Sequence, residues 1–168
     1  MNIRVLTKEN ADIYLQLCIE GLTQNPEAFG SSYEDIMKQE NPVSAIAKRL
    51  DNPEKFTIGA FHEEELIGIA TLEIKPLVKQ EHKAKIGSVY VSPKARGLGA
   101  GRALIETIIE NAPRLDIEQI MLNVVSGNKP AKKLYESLGF QTFGVEERAL
   151  KYNGQYWDEE HMMLFLNA

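Results

Sequence analysis

The sequence predicts an α/β protein (α+β in some schemes) with a mixed sheet and helices on both faces. Short apolar runs rich in Val, Ile and Tyr indicate about six or seven strands. Segments whose apolar residues share one helical face separate several of these runs. Near the end of the chain, Asn153-Gly154 favours a two-residue hairpin. Together these observations predict the order β-α-α-ββ-β-α-β-α-β-β.

In the first half of the chain, residues 2–6 are predicted to form a strand, and Thr7 can cap the helix that follows. Two shorter helical pieces come next, and the second begins at Pro42. Helices interrupted in this way are expected to cover a site rather than to form a rigid support. Strands 56–61 and 66–74 then form a hairpin across an acidic turn.

The second half alternates strands and helices. Proline ends the first of these strands because it has no N–H for the ladder. Apolar residues at helical spacing follow it, and a short apolar strand and a second amphipathic helix come next. The predicted elements are strand 85–91, a helix closed by Pro113, strand 119–125, a helix between Asn128 and Gly139, a strand from Gln141, and a hairpin of 148–152 with 155–166.

Bulk composition limits the possible functions. The 168 residues suffice for one domain, 1–168, with a sizeable core. A net charge of −5 makes a general nucleic-acid surface unlikely, so no nucleic-acid partner is expected. No apolar stretch reaches membrane-spanning length and the N-terminus has no signal-peptide core, so we expect no membrane partner and a cytoplasmic location.

The residues that could bind a metal or form a disulfide are few. The single cysteine, Cys18, excludes an internal disulfide and a thiolate metal cluster, and its apolar helical surroundings predict a buried structural thiol. The histidines His62, His82 and His161 lie in turns or polar runs and are expected on the surface. Their spacing predicts no metal site.

A glycine-rich loop lies between strand 85–91 and the next helix. Its glycines alternate with Leu98 and Ala100, and a backbone without Cβ can turn several N–H groups toward one ligand. The helix start adds unpaired N–H groups and the positive end of its dipole. We therefore predict a phosphate or pyrophosphate site. Its residues are Arg96, Gly97, Gly99, Gly101 and Arg102, with added charge from Lys94.

Known phosphate loops narrow the identity of this one. Neither the P-loop nor the dinucleotide-binding glycine pattern fits the spacing, whereas Arg/Gln-x-x-Gly-x-Gly/Ala fits residues 96–101. A second pattern, Asn-x-x-Ala-x-x-Leu-Tyr-x-x-x-Gly-Phe, begins at Asn128, and one helix and one strand separate the two patterns. With both motifs in this order, the chain resembles the GCN5-related N-acetyltransferase (GNAT) superfamily, in which the glycine loop holds the pyrophosphate of acetyl-coenzyme A.

The resemblance implies a mostly antiparallel sheet whose two central parallel strands, 88–91 and 119–125, splay apart. The resulting cleft takes the pantetheine arm of acetyl-CoA, and no metal is required. The resemblance also assigns the residues that bind the cofactor. The arm pairs with the backbone of Val89, Tyr90 and Val91, the pyrophosphate lies on residues 96–101 with the N–H of Arg102, and Asn128 and Tyr135 complete the set.

Acetyl transfer also needs proton donors and acceptors. The resemblance implies that the Tyr135 hydroxyl points at the thioester sulfur and acts as a general acid. The apolar neighbours of Tyr135 on its helix also permit the alternative that it is an ordinary core aromatic. Many relatives carry a glutamate near position 85, where this chain has Lys85. Glu73 is the first candidate base, because period-2 alternation puts it on one face with Ile67, Ile69 and Thr71. Glu34 is a weaker candidate, and a water chain or an already neutral amine would remove the need for a base.

The resemblance puts the acceptor between the N-terminal helices and the last hairpin. Acidic and aromatic residues there suit a cationic amine, either a small molecule or a peptide N-terminus. Strand packing or a homodimer contact is the alternative for the hairpin aromatics. The residues on the first side are Phe29, Ser31, Tyr33 and Glu34, and those on the second are Tyr152, Tyr156, Trp157 and Asp158.

Two functions stay open. The first is an acetyl-CoA-dependent N-acetyltransferase in which the amine attacks directly in a ternary complex, and Tyr135 favours it. The second is a domain that binds acyl-CoA without chemistry, as a sensor or interaction module. The lysine at position 85 leaves room for this second function.

Overall fold

A computed structural model describes residues 1–166 of the chain. These residues form seven strands and five α-helices, and the order matches the predicted one except that three helices, rather than two, lie between the first and second strands. The strands are β1 (Asn2–Val5), β2 (Lys55–His62), β3 (Glu65–Ile74), β4 (Lys83–Val91), β5 (Gln119–Val125), β6 (Gln141–Tyr152) and β7 (Gln155–Phe165). The helices are α1 (Ala11–Gln24), α2 (Tyr33–Met37), α3 (Pro42–Leu50), α4 (Ala100–Asn111) and α5 (Lys129–Ser137).

All seven strands join one sheet in the order β1-β2-β3-β4-β5-β7-β6. Only the pair β4 and β5 is parallel, and the other neighbours are antiparallel. The predicted mixed, mostly antiparallel sheet is therefore confirmed. The parallel pair arises because α4 carries the chain across one face of the sheet between β4 and β5.

The two central parallel strands separate partway along their length. Their pairing runs from Lys83 with Gln119 to Ile86 with Leu122 and ends there. Strand β4 nevertheless continues to Val91, and β5 continues in register with β7. The predicted splay of the central strands is thus present, and it leaves the later backbone of β4 without a partner on the β5 side.

Two bulges interrupt the period-2 alternation. In β4, Gly87 is paired with Thr71 and Tyr90 with Ile69, so two residues, Ser88 and Val89, stand opposite one residue of β3. Ser88 adopts the left-handed φ of 53°. A bulge of this kind adds twist and turns the following side chains to the other face.

The second bulge overturns one expectation about β3. Phe61 pairs with Leu66 and Ala60 with Gly68, which leaves Ile67 as the extra residue. Ile67 consequently packs on the opposite face from Ile69. The prediction that Ile67 shares the face of Glu73 was wrong, because strict alternation does not hold across a bulge.

Each face of the sheet has its own apolar core. On one face, α4 and α5 contribute buried side chains such as Leu104, Ile108 and Tyr135. On the other face, α1 and α3 contribute Tyr14, Ile46 and their neighbours. None of the helices within residues 1–166 combines the length and apolar character needed to cross a membrane.

Candidate functional site

The glycine loop joins β4 to α4 and presents a bare backbone. Gly97 and Gly99 have φ of 82° and 72°, in the left-handed region that favours glycine, and no atom lies within 4 Å of the position of an added Cβ. Within residues 1–166 their N–H groups have no backbone acceptor. The first turn of α4, which Gly99 caps, adds further unpaired N–H groups and a positive dipole end. This arrangement suits a diphosphate.

The charges around this loop differ from those predicted. Lys94 Nζ lies 3.3 Å from the Glu65 carboxylate. The Arg102 guanidinium lies 3.0 Å from Glu106 and donates to the Ser137 hydroxyl at 2.6 Å. Both side chains are therefore turned away from the loop. Arg96 is exposed and forms no ion pair within the described chain, so it is the cation that can approach an anion bound there.

The strand that enters the loop offers its backbone rather than its side chains. Val89 and Val91 pack against the core beneath α4. Tyr90 is 7% exposed, and its hydroxyl donates to Glu20 at 3.1 Å. Burial, with a smaller effect of Glu20, raises the pKa of Tyr90 to about 12. The predicted role of Tyr90 in binding the cofactor can therefore involve only its main chain.

Helix α5 carries the second motif. Asn128 caps it by accepting a hydrogen bond from the Ala131 N–H at 3.3 Å. Tyr135 is 6% exposed and its ring meets the edge of Phe140 with centroids 5.9 Å apart. Burial raises the pKa of the Tyr135 hydroxyl to about 12. The core position that the helical pattern permitted is observed, and a role in proton transfer stays a prediction.

The two sequence motifs meet in space. A Cβ at Gly101 would lie 3.5 Å from a methyl carbon of Leu134, and Arg102 contacts Ser137. The start of α4 therefore packs beside α5, although the motifs are separated by one helix and one strand. This packing puts the glycine loop and Tyr135 on the same side of the splayed strands.

The candidate bases have partners already. Glu73 Oε1 lies 3.5 Å from Lys55 Nζ, and Glu73 is paired across strands with both Lys55 and Lys85. The carboxylate is thus partly neutralised, as a charge on a largely apolar face must be. Glu34 accepts from the Tyr152 hydroxyl at 2.7 and 2.9 Å. That hydrogen bond lowers the pKa of Glu34, which makes it a weaker base.

The predicted acceptor residues lie on two elements that touch. The Tyr152–Glu34 hydrogen bonds join the β6–β7 hairpin to α2, and Phe29 packs on Tyr90 with centroids 5.8 Å apart. Tyr33 is 44% exposed. Tyr156 is equally exposed, but two cations of the chain already lie over its ring. Arg148 Cζ is 4.8 Å and Lys151 Nζ is 5.2 Å from the ring centroid. Its role toward a cationic substrate stays a prediction.

Three residues near the separation of the central strands were not singled out from the sequence. Arg49 in α3 donates to the Ser88 hydroxyl at 2.5 Å. Asn123 in β5 has a buried side-chain oxygen that finds no hydrogen-bond partner among residues 1–166. No sequence signal marks these positions, because the bulge at Ser88 depends on how β4 pairs with β3. Among residues 1–166, no cluster of His, Cys, Asp and Glu could hold a metal ion.

The buried state predicted for Cys18 is confirmed, whereas two histidines, His82 and His161, are half-buried rather than on the solvated surface. Cys18 is 5% exposed. Burial raises the pKa of its thiol to about 12, although the charge of Arg49 acts in the opposite direction. His161 was expected on the solvated surface, but its side chain is only 24% exposed and its Nε2 lies 3.0 Å from Glu146. Cross-strand packing of β6 on β7 covers it.

Comparison with known proteins gives a family match and similar relatives. The family model described as "Acetyltransferase (GNAT) family" matches residues 20–140. Mycothiol acetyltransferase of Paenarthrobacter aurescens is 33% identical over 123 residues, which are 71% of this chain and 38% of the relative. The chain spans less than half the length of the mycothiol acetyltransferases it matches.

Solved structures agree over nearly the whole chain. A probable acetyltransferase from Staphylococcus epidermidis has a TM-score of 0.80 and 27% identity, with 99% of each chain covered. The yncA protein of Salmonella typhimurium, a putative acetyltransferase described with its cofactor acetyl-CoA, has a TM-score of 0.82. The alignment covers 100% of this chain and 95% of the yncA chain. Because only 20% of the residues are identical, the similarity shows a shared fold and nothing more.

Proposed function

Since the chain belongs to the acetyltransferase (GNAT) family, we propose that it transfers an acetyl group from acetyl-CoA to a primary amine. The observation that carries the proposal is the glycine loop. Its unpaired N–H groups at Gly97 and Gly99 follow the end of β4, whose backbone after Ile86 is no longer paired with β5. The residues present therefore fit a long cofactor with a diphosphate at one end.

The chain's own groups would hold that cofactor along β4 and the loop. The N–H groups of residues 96–101 and of Arg102 bind the diphosphate, with Arg96 as the nearby charge. The main chain of Val89, Tyr90 and Val91, unpaired on the β5 side, binds the arm as a further strand would. Asn128, at the start of α5, donates its side-chain amide to the arm while its oxygen caps the helix.

Bound acetyl-CoA supplies an activated thioester carbonyl. An N–H near Val89 donates to the carbonyl oxygen as negative charge develops there. The attacking amine forms an N–C bond while the C–S bond breaks. Tyr135 donates its hydroxyl hydrogen toward the leaving sulfur. The amine proton goes to Glu73, or to solvent if the amine binds already neutral. Holding both reactants in one cleft supplies much of the rate increase.

The acceptor is proposed to bind between the N-terminal helices and the β6–β7 hairpin. Support comes from the hydrogen bonds between Tyr152 and Glu34, which join these two parts. Phe29, Tyr33 and Tyr156 are the aromatic candidates around them. The acceptor is a small-molecule amine or a peptide N-terminus. Partial neutralisation of Glu73 by Lys55 favours one second candidate, a domain that binds acyl-CoA without transferring it.

Two measurements on the purified protein test the proposal. Calorimetry with acetyl-CoA tests the loop, and release of free coenzyme A with a panel of amines tests the transfer. We expect saturable binding and amine-dependent release. Binding without release for any amine would support the non-catalytic domain. Failure to bind acetyl-CoA at millimolar concentration would contradict both functions.

A further inference from the structure

Arg49 is a half-buried cation without a negatively charged partner. It lies near the end of α3, and within residues 1–166 it forms no ion pair. Its guanidinium donates one hydrogen bond, from Nη2 to the Ser88 hydroxyl at 2.5 Å. Its Nε is buried and has no hydrogen-bond partner among residues 1–166. Within the described chain, one of its five N–H donors is thus hydrogen-bonded.

The surroundings of Arg49 do not neutralise it. The charge of Arg49 acts on Tyr14 and Cys18, whose pKa values are raised because burial outweighs that charge. Both groups are therefore neutral near pH 7. A half-buried guanidinium with one neutral acceptor gains stability when an anion or further acceptors meet it. The described chain provides no negative group next to Arg49, so a ligand would have to supply it.

A complementary unpaired acceptor lies across the split. Asn123 follows Leu122, the last residue of β5 paired with β4, and its buried Oδ1 has no hydrogen-bond partner in the described part of the chain. Leu122 packs in the core beneath α4, so the Asn123 side chain lies on the α1–α3 face, as Arg49 does. Opposite it, Gly87 has no side chain, and a Cβ there would meet only Glu73, at 3.4 Å.

The unpaired donor and the unpaired acceptor are at the same level of the sheet. Gly87 and Asn123 are each one residue beyond the last β4–β5 pair, and Ser88 is the next residue along β4. Val89, whose N–H is proposed to lie near the thioester, is the residue directly after Ser88. A ligand with a negative group on Arg49 would therefore have its neighbouring atoms beside the reacting carbonyl.

We propose that the acceptor is a free amino acid whose carboxylate binds Arg49 and Ser88. Its amino group, a few bonds away, lies beside Asn123 Oδ1, which accepts one of its N–H hydrogens. Guanidinium and carboxylate match in shape and charge, and one cation with one hydroxyl suits a singly charged group. This inference rests on the proposed acetyltransferase activity and makes polyamines, aminoglycosides and simple amines poorer acceptors.

Matched substrates test the inference. Coenzyme A release is measured with free amino acids and, for each, with the amine that lacks only the carboxylate, such as L-phenylalanine and 2-phenylethylamine. Loss of a hydrogen-bonded charge pair raises KM by about 10- to 150-fold, so the amino acids should have the lower KM by that factor. Arg49→Gln should raise KM for the amino acid by the same factor and leave KM for the amine within about twofold.

Lys48→Gln is the matched control, because Lys48 is the exposed neighbour of Arg49 and loses the same charge. It should change neither KM. If Arg49→Gln lowers the melting temperature, Arg49→Lys replaces it as the variant. Calorimetry then measures the binding of each amino acid, and of its matched amine, to the wild-type protein loaded with coenzyme A. Equal KM values for amino acids and amines would overturn this inference and leave the transferase intact. No release with any amine, by contrast, would count against the transferase itself.

Discussion

Tyr135→Phe removes a single hydroxyl from the proposed active site. The ring contact with Phe140, at 5.9 Å between centroids, is retained in the variant. Within residues 1–166 burial is the only influence on the Tyr135 pKa, so no internal hydrogen bond is lost. The free energy of unfolding should therefore change by less than about 1 kcal/mol. A change in rate can then be assigned to the hydroxyl rather than to misfolding.

The raised pKa of Tyr135 sets the size of the expected effect. An alkyl thiol has a pKa of about 8.5, so full transfer of a proton from a phenol with a pKa of about 12 is unfavourable by about 5 kcal/mol. The hydroxyl should therefore act mainly by donating a hydrogen bond to the sulfur as negative charge develops. Hydrogen bonds to charged groups contribute about 1.5–3 kcal/mol, which predicts a fall in kcat of about 10- to 150-fold.

Steady-state rates with one accepted amine, together with calorimetry of acetyl-CoA binding, measure this effect. The dissociation constant of acetyl-CoA should stay within about twofold of the wild-type value. Because Tyr135 is protonated below its raised pKa, it should cause no alkaline loss of wild-type activity below pH ~10. An unchanged kcat would exclude any role for the hydroxyl. A fall of about 10⁴-fold would instead indicate full general-acid catalysis and contradict the hydrogen-bond argument.

Three other predictions concern the loop, the core and the thiol. Gly99→Ala should cost about 1–2 kcal/mol of stability, because Gly99 has a φ of 72°, and should also weaken acetyl-CoA binding. Gly154→Ala, with a φ of 76° in the hairpin, should lose similar stability but bind normally, and equal binding losses would refute the role of the loop. Leu104→Ala should lower the free energy of unfolding by about 2–5 kcal/mol in denaturant titration, because Leu104 is fully buried; a loss below about 1 kcal/mol would contradict that packing. Cys18 should resist alkylation at pH 8 until the protein unfolds, because its thiol is 5% exposed with a pKa of about 12; rapid labelling of the native protein would show that this helix face opens.

Element boundaries that depend on local backbone chemistry were predicted closely. Helix α3 begins at Pro42, whose fixed φ suits the first turn of a helix. Strands β6 and β7 are joined by Asn153 and Gly154, both at positive φ, as a two-residue hairpin requires. In these cases the residues that determine the boundary are adjacent in sequence, so the boundary can be predicted from the sequence alone.

Features that depend on distant partners were not predictable. The bulges at Ile67 and Ser88 leave no mark on composition, because any residue of the strand could be the extra one. The ion pair of Glu73 with Lys55 and the turn of Arg102 toward Ser137 need the register of neighbouring elements. The glycine loop, by contrast, is a contiguous segment with its own conformational preference, so its position could be read from the residues themselves. The acceptor residues were assigned only through the family resemblance, and their role stays a prediction.

The bulge at Ser88 links the two halves of the proposed site. By adding a residue to β4, it turns the strand away from β5 after Ile86, and the backbone of Val89 and Val91 is left free for the cofactor arm. The same irregularity presents the Ser88 hydroxyl to Arg49 on the other face. The left-handed φ of a serine is unfavourable by itself, and the hydrogen bond from Arg49 helps to offset it. One backbone feature therefore underlies both the proposed position of the thioester and the charge proposed to face the incoming amine.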